Sequence, residues 1–347
     1  MIGRFLRPQT GARIFVIGDI HGCFVSLTSA VSQIFDEEKF DEDVDYLIFT
    51  GDFTERGKYS LLCLMYVMKL HQQYPDHVVV LRGNHESAFQ WELGEPYVSL
   101  SYTINVMHGF YSFESQCMKC SFLEYVSKLP SVALIDKTII CHGFIPKLEA
   151  LKTRKDLELL MKMKISNDYR LCPEETSSFE SLFAWTDIVL PEENLLGHGN
   201  LGVSLDDWKK MKKDLDLKYI VCGHQHSACK NKTLKDNGVF VNITSKVLGG
   251  TFVKFVVGND PEFVDVKINN AVAINCLMLT LDCDIDEKVQ DYMREYERNV
   301  NEDPNFKWQI DIVLDNDFNI LFVRFSDTQP KELSEPLIRS SSLSFLA

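Results

Sequence analysis

Residues 14–22, Ile14-Phe15-Val16-Ile17-Gly18-Asp19-Ile20-His21-Gly22, join a short apolar run to a turn that carries a carboxylate and an imidazole. An unbroken apolar run of this length, rich in Val, Ile and aromatic residues, predicts a strand buried on both faces. The pattern recurs along the chain. Tyr46 to Phe49 precedes Gly51-Asp52, and Val78 to Leu81 precedes Gly83-Asn84-His85-Glu86. Ile139 to Cys141 precedes His142-Gly143, and Tyr219 to Cys222 precedes Gly223-His224-Gln225-His226. Five strands are therefore expected to end at one rim. In layered α/β proteins the loops beyond strand ends bring residues distant in sequence to one site. A Gly beside each polar residue lets the backbone turn sharply there.

The side chains in these turns specify a chemistry. Asp and neutral His suit divalent first-row metals such as Mn, Fe and Zn, and two carboxylates, an amide oxygen and several imidazoles can hold two such ions. Paired ions can clamp the attacking and leaving oxygens of a phosphate displacement. Asp19 and Asp52 cancel only about half the charge of two divalent ions, which leaves a surplus suited to a phosphate dianion. A water bridging the pair would be largely hydroxide at neutral pH, and is the expected nucleophile. His85, next to Asn84 on the same turn, can face the leaving oxygen as general acid. The fixed fork of an Arg suits two phosphate oxygens.

These segments resemble the calcineurin-like metallophosphoesterases and, more narrowly, the phosphoprotein phosphatase family, whose pattern is GDxHG, GDxxDRG, GNHE, a lone HG and a final His. The matching residues are Asp19 and His21; Asp52 with Glu55-Arg56-Gly57; Leu81 to Glu86; His142; and His224. Phe183-Ala184-Trp185-Thr186-Asp187 is similar to the family's LLWSDP segment. The likeness spans residues 13 to about 248. It implies an α/β fold built as a two-sheet β-sandwich flanked by helices. It also implies that Asp19 and His21 bind a first metal, that Asp52 bridges both, and that Asn84, His142 and His224 bind a second. His226 fits the GHxH ending of the wider superfamily as a further ligand, which points to a bacterial-type or divergent member. His85, Asp52, Glu55 and Arg56 are the expected catalytic residues. Arg56 and Arg82, with Asn84, are expected at the phosphate.

Three departures stand out. Glu55 occupies the place of an Asp that orients the catalytic His in the family. The family's second phosphate Arg has no match in Leu195-Leu196-Gly197-His198-Gly199-Asn200, where His198 takes roughly that place as a candidate substrate contact. The SAPNY segment is replaced by Val241-Asn242-Ile243-Thr244-Ser245. The activity implied is a metal-dependent phosphomonoesterase, first of all a protein serine/threonine phosphatase, with phosphotyrosine left open. Mn is the expected ion in vitro, with Fe and Zn as alternatives. Two other readings stay open: a dinucleoside-polyphosphate or nucleotide hydrolase, and a binding module with a decayed site.

Length and composition agree with a globular enzyme. At 347 residues the chain can bury a large core, and a net charge of −14 argues against nonspecific nucleic-acid binding, which needs Lys and Arg to neutralise phosphates. A phosphoprotein is the expected partner. Oligomeric state is not legible. The ten cysteines are scattered and read as free thiols, which favours a reducing cytosol; leaderless secretion stays open. Cys117 and Cys120 form a lone CxxC without a second pair, and are read as structural thiols. No apolar run reaches the ~18 residues of a membrane span, and the N-terminal residues lack a secretory apolar core. His71, His77 and His108 are read as ordinary core or surface histidines.

Helices are expected over Val25–Phe35, Ser60–Tyr74, Phe113–Leu129 and Leu205–Leu215, with two short ones in an insert at 152–182. Val239–Ile243 and Thr251–Val257 are expected to pair with each other as a second sheet. Further strands are read at 263–268, 273–281, 309–314 and 320–325, a charged helix at 284–298 and a turn at 315–317. The expected division is a catalytic domain at 1–258, an α+β extension at 259–326 and a tail at 327–347.

Overall fold

The structure is a computed structural model that describes residues 1–57, 59–93, 100, 101, 104, 113–165, 171, 178–190, 202–245, 250–269, 272, 276, 309–314 and 320–326. His108, His198 and the readings at 195–200, 284–298, 315–317 and 327–347 lie outside the described residues, as does all of 273–281 except Cys276.

The strands are β1 (Gly3–Leu6), β2 (Arg13–Ile17), β3 (Tyr46–Phe49), β4 (Val78–Val80), β5 (Val132–Ile135), β6 (Thr138–Cys141), β7 (Asp187–Val189), β8 (Gly202–Ser204), β9 (Tyr219–Cys222), β10 (Val239–Val241), β11 (Thr251–Val256), β12 (Glu262–Asp265), β13 (Gln309–Leu314) and β14 (Ile320–Ser326). Two five-stranded sheets form, ordered β1-β5-β6-β9-β10 and β12-β11-β2-β3-β4. Within the second, β2, β3 and β4 run parallel, and β11 is antiparallel to β2.

The helices are α1 (Phe24–Ser32), α2 (Ser60–Gln73), α3 (Ala88–Leu93), α4 (Phe113–Ser127), α5 (Arg154–Met161), α6 (Phe179–Trp185), α7 (Leu205–Asp214) and α8 (Lys232–Asp236); a π-turn at Gln33–Glu37 prolongs α1.

Strand alternation assigns the described apolar side chains of the two large sheets to layers. Phe15 and Ile17 of β2 turn to one face, where they join Leu47, Phe49, Val78 and Val80 under Leu27, Leu64 and Val67 from α1 and α2. Ile14 and Val16 turn to the other face and meet Ile140, Val221 and Phe240 of the opposite sheet. That opposite sheet buries Leu134, Ile139 and Ile220 against Leu157 of α5 and Trp208 of α7. The order is helices, sheet, sheet, helices, and it explains why the motif strands carry unbroken apolar runs. Local signals place the outer helices. Thr153 and Asp156 form a capping box at α5. At α7, Ser204 caps the Asp207 amide, with Asp206 and Asp207 in the first turn and Lys212 and Lys213 in the last, as the helix dipole favours.

The five motif strands come from both sheets, with β2, β3 and β4 in one and β6 and β9 in the other, and the rim they share is the edge of the sandwich. One expectation is corrected. The segments at 239–243 and 251–257 do not pair as one sheet: β10 lies parallel to β9, whereas β11 lies antiparallel to β2 and β12. Each finds its apolar partners in a different sheet. Thr251 ties the start of β11 to the segment after β10 by donating its amide to Ile243 O (3.0 Å) and its hydroxyl to Asn242 Oδ1 (2.9 Å).

Candidate metal centre

Each motif strand delivers its polar residues within a few positions of its C-terminal end, onto the rim. The backbone there is bent: His21, Asp52, Glu55, Arg56 and His224 all adopt positive φ, between 46° and 67°. Non-glycine residues in that region cost about 1–3 kcal/mol each and persist where the surroundings fix them. Gly51 shows what fixes them here. At φ 112° it lets the Asp52 loop approach the 83–86 turn so closely that an added Cβ would lie 2.2 Å from Gly83 N.

The convergence is tight. Asp19 Oδ2 lies 2.9 Å from His226 Nε2, and His21 Nε2 lies 3.2 Å from His226 Nε2 and 3.4 Å from Asp52 Oδ2. On the other side of Asp52, its Oδ1 is 3.3 Å from His142 Nε2, while Asn84 Oδ1 is 2.8 Å from His142 Nε2 and 3.1 Å from His224 Nδ1. Three groups have donor atoms that all lie within 4.8 Å of one another: Asp19, His21 and His226; His21, Asp52 and His85; and Asp19, Asp52 and His142. Asp52 belongs to two of them. His224 is braced from behind, since its amide donates to Asp19 Oδ2 (3.0 Å), its Nε2 is 3.5 Å from Asp187 Oδ1, and Trp185 packs edge-on against its ring.

The donor set fits cations. Two imidazole nitrogens face each other at 3.2 Å, the carboxylates of Asp19 and Asp52 are almost wholly buried, and the buried Nδ1 of His142 has no hydrogen-bond partner. Buried charge of this kind is stable only when paired or metal-bound. Protonation follows the same demand. Burial pulls His142 down, but Asp52, Asp19 and Glu86 outweigh it and raise the ring to about 9, so the carboxylates draw a positive charge to the centre. Burial lowers His21 to about 3 and His85 to about 4. Asp52 is resisted by burial yet held well below the usual carboxylate range by His142, His85 and His21.

Arg56 stands over this rim. One guanidinium nitrogen is 3.1 Å from His226 Nδ1 and the other 3.3 Å from His85 Nε2. His85 Nε2 is in turn 4.0 Å from Asp52 Oδ2. Of the expected site residues, Asp19, His21, Asp52, Arg56, Asn84, His85, His142, His224 and His226 are thus brought together, and two others are not. Arg82 is 1% exposed and donates its Nε to Glu86 O (3.0 Å). It braces the 83–86 turn from inside the protein. Glu55 does not orient His85: its left-handed backbone and extra methylene take Oε1 to the Leu100 amide (2.9 Å), and His85 Nδ1 has no hydrogen-bond partner.

Glu55 yields a prediction. Burial raises its carboxyl from 4.5 to about 8. Between those values the folded protein keeps a proton that the unfolded chain has lost. The stability it contributes is therefore full below about pH 4.5 and is lost as pH rises through about 8. In metal-free protein, Glu55→Gln should flatten the fall in thermal midpoint across that window, measured by scanning fluorimetry in chelator. Parallel midpoint curves for the two proteins would reject the assignment.

Sequence reasoning passed over several residues that hold the site. Glu86 ends a recognised motif but was given no role. Gln225 exchanges hydrogen bonds with the Ile188 backbone (2.6 and 2.9 Å), and Thr244 accepts from the Gly18 amide (2.9 Å). Position within the motifs was the signal available for the first two; for Thr244 it was only its place in the segment that replaces SAPNY. The lone cysteine pair is exposed on α4, and among the described residues no metal-binding group includes it. His71 and His77 make ordinary contacts, to Tyr125 Oη and Asp45 O.

A sandwich whose two sheets carry oxygen and nitrogen donors to one shared rim is the architecture of a metallophosphoesterase. Residues 12–228 match the model of the calcineurin-like phosphoesterases, and the chain belongs to that family. Within it the likeness is to the phosphoprotein phosphatases. Serine/threonine-protein phosphatase PP1-delta of Caenorhabditis elegans is 32% identical over 153 residues, which are 42% of this chain and 43% of that protein. The chain therefore matches less than half the length of this curated relative. A solved serine/threonine phosphatase from Saccharomyces cerevisiae, described as similar to human phosphatase PP5, has the same fold at a TM-score of 0.59, with 19% identity over 78% of this chain and 84% of that one. A putative diadenosine tetraphosphatase matches at a TM-score of 0.41 with 17% identity over 77% and 99% of the chains, too loosely to bear on substrate. Among the described residues no helix is long and apolar enough to cross a membrane.

Proposed function

We propose that this chain is a metal-dependent protein phosphatase that hydrolyses phosphoserine and phosphothreonine monoesters. One observation carries the reading: Arg56 and His85, 3.3 Å apart, stand beside two donor clusters that share Asp52. A phosphate held there would have a cation and a proton donor on one side and metal ligands on the other. The similarity to PP1-delta supports a phosphoprotein as substrate.

Asp19, His21 and His226 would hold one ion and Asn84, His142 and His224 the other, with Asp52 shared. When bound, two divalent cations neutralise phosphate charge and acidify water. The protein's own groups do the rest. Arg56 grips two phosphate oxygens through its fork of donors, and the His21 and Asp52 side chains fix the near face of the pocket. His85 delivers a proton from Nε2 to the departing serine or threonine oxygen, which leaves poorly without one. No strong cationic cluster for a longer polyphosphate chain is found at this rim among the described residues, which favours a monoester over a dinucleoside polyphosphate.

The test is a substrate panel on Mn-loaded protein: phosphoserine, phosphothreonine and phosphotyrosine peptides beside diadenosine tetraphosphate. Turnover of the serine and threonine peptides is expected. Robust hydrolysis of the dinucleotide with none of the peptides would sink the proposal, and two bound metals with any turnover would reject a decayed binding module.

A further inference from the structure

We propose that Glu86 is the positioning residue of the metal centre, the group that locks the Asp52 loop and the Asn84 turn into one rigid unit. Glu86 is fully buried and its carboxylate receives five donors. Oε2 accepts from the amides of Asp52 (2.6 Å) and Gly83 (3.1 Å). Oε1 accepts from the Phe53 amide (2.9 Å), the Thr54 amide (3.3 Å) and the Thr54 hydroxyl (3.1 Å). Four of these donors belong to the loop that follows β3, and the fifth lies on the turn that carries Asn84. One side chain therefore spans the two loops that bear the shared ligand and a ligand of the second cluster.

The clamp is reciprocal. Asp52 Oδ1 accepts the His85 amide (3.0 Å), so each loop sends a carboxylate into the other's backbone. The loops are pressed together at glycine: a Cβ on Gly83 would lie 2.3 Å from Asp52 Oδ1 and 2.8 Å from Glu86 Oε2. A buried carboxylate is expensive to desolvate, and a fold that needed only to fill this volume would do so with an apolar residue. What an apolar residue cannot do is accept from five donors at once, or hold Asp52 at a positive φ of 55°. Glu86 belongs to none of the three donor groups, so its effect must pass through Asp52 and Asn84. Groups that orient metal ligands in this way typically control affinity or activity by about 10–100-fold.

The inference rests on the metal-dependent phosphatase reading only for its kinetic arm. Glu86→Gln keeps the shape but turns one oxygen into a donor that faces backbone amides. Titrating chelator-stripped protein with Mn²⁺ in a calorimeter should show the dissociation constant raised about 10–100-fold in this variant. At saturating Mn²⁺, kcat on the best phosphopeptide should fall at least about tenfold while KM stays within about twofold. Circular dichroism should stay native. A folded variant whose Mn²⁺ affinity and kcat lie within twofold of the parent overturns the proposal, as does a rise in KM alone. If Glu86→Gln does not fold, Thr54→Val, which removes the hydroxyl that reaches Glu86 Oε1 and His85 O and accepts from Trp91 Nε1, decides beside Trp91→Phe, which removes only the indole contact: a loss of Mn²⁺ affinity of about two- to tenfold beyond that of Trp91→Phe supports the clamp, and no such excess overturns it. Should the parent turn over no phosphoester at all, the phosphatase reading fails, while the calorimetric shift still tests Glu86 by itself.

Discussion

Asp52→Asn is expected to abolish phosphoester turnover and to strip metal from the protein. The carboxylate is 1% exposed, approaches His21 at 3.4 Å and His142 at 3.3 Å on opposite sides, and belongs to two of the three donor groups, one through each oxygen's histidine neighbour. Asn keeps one oxygen, so the His85 amide retains its acceptor and the loop keeps its shape. What disappears is the charge. Its loss removes the attraction that outweighs burial at His142, the same attraction that would hold cations on both sides of the centre. Metal ligation of a reacting phosphate is worth several kcal/mol, and about 4 kcal/mol corresponds to roughly 10³-fold in rate. Elemental analysis after gel filtration, together with initial rates at saturating substrate, reads both effects. A variant that still carries two metals per chain and turns over near the parent rate would mean that Asp52 is not the shared ligand.

How much of this was legible in the sequence depends on how local each determinant is. The strand of residues 14–17 could be read because each of its side chains meets an apolar layer, Phe15 and Ile17 under the helices and Ile14 and Val16 against the second sheet. The ligand residues could be read because each follows its strand within a few positions. Pairing could not. β10 and β11 carry similar apolar patterns ten residues apart, and nothing in either says that one will lie beside β9 and the other beside β2; that choice is made by partners far away in sequence. Side-chain direction was equally hidden. Arg82 and Arg56 are both arginines next to motif residues, yet one is buried under a turn and the other lies over the rim. Glu55 kept the charge of the expected Asp, but φ 67° and one methylene took its carboxylate to another backbone amide. Glu86 was visible as the last letter of a motif, while its role exists only in the five hydrogen bonds that the folded loops create.

These departures divide the centre into a part fixed by charge and a part fixed by direction. The candidate ligand cluster answers to charge, because its buried carboxylates attract a cation, and the firmness of its loops sets how tightly that cation is kept. Proton delivery answers to direction, because the donor atom must face the leaving oxygen. With Glu55 committed to Leu100, direction at His85 comes from other contacts: its amide bonds to Asp52, its ring packs edge-on against His21 at 4.9 Å between centroids, and Arg56 touches Nε2.

His85→Ala should therefore lower turnover of phosphoserine peptides by about 10²–10⁴-fold while both metals stay bound. The size of the loss should follow the leaving group. Serine and threonine oxygens depart as strongly basic alkoxides unless protonated, whereas p-nitrophenolate is stable without a proton, so the same variant should lose far less on p-nitrophenyl phosphate. Burial keeps His85 down at about 4, with Arg56 pushing in the same direction, so the ring surrenders a proton readily once it holds one. A phosphate dianion gripped by Arg56 offsets that push and favours the protonated ring at the moment it is needed. Rates on the two substrates, with metal content measured on the same preparation, separate this role from ligation. Near-normal rates on phosphoserine peptide would remove His85 from the chemistry, and an equal loss on both substrates with depleted metal would place it among the ligands. The expected split, large on the alkyl ester and small on the aryl ester with metal retained, is the behaviour of a proton donor.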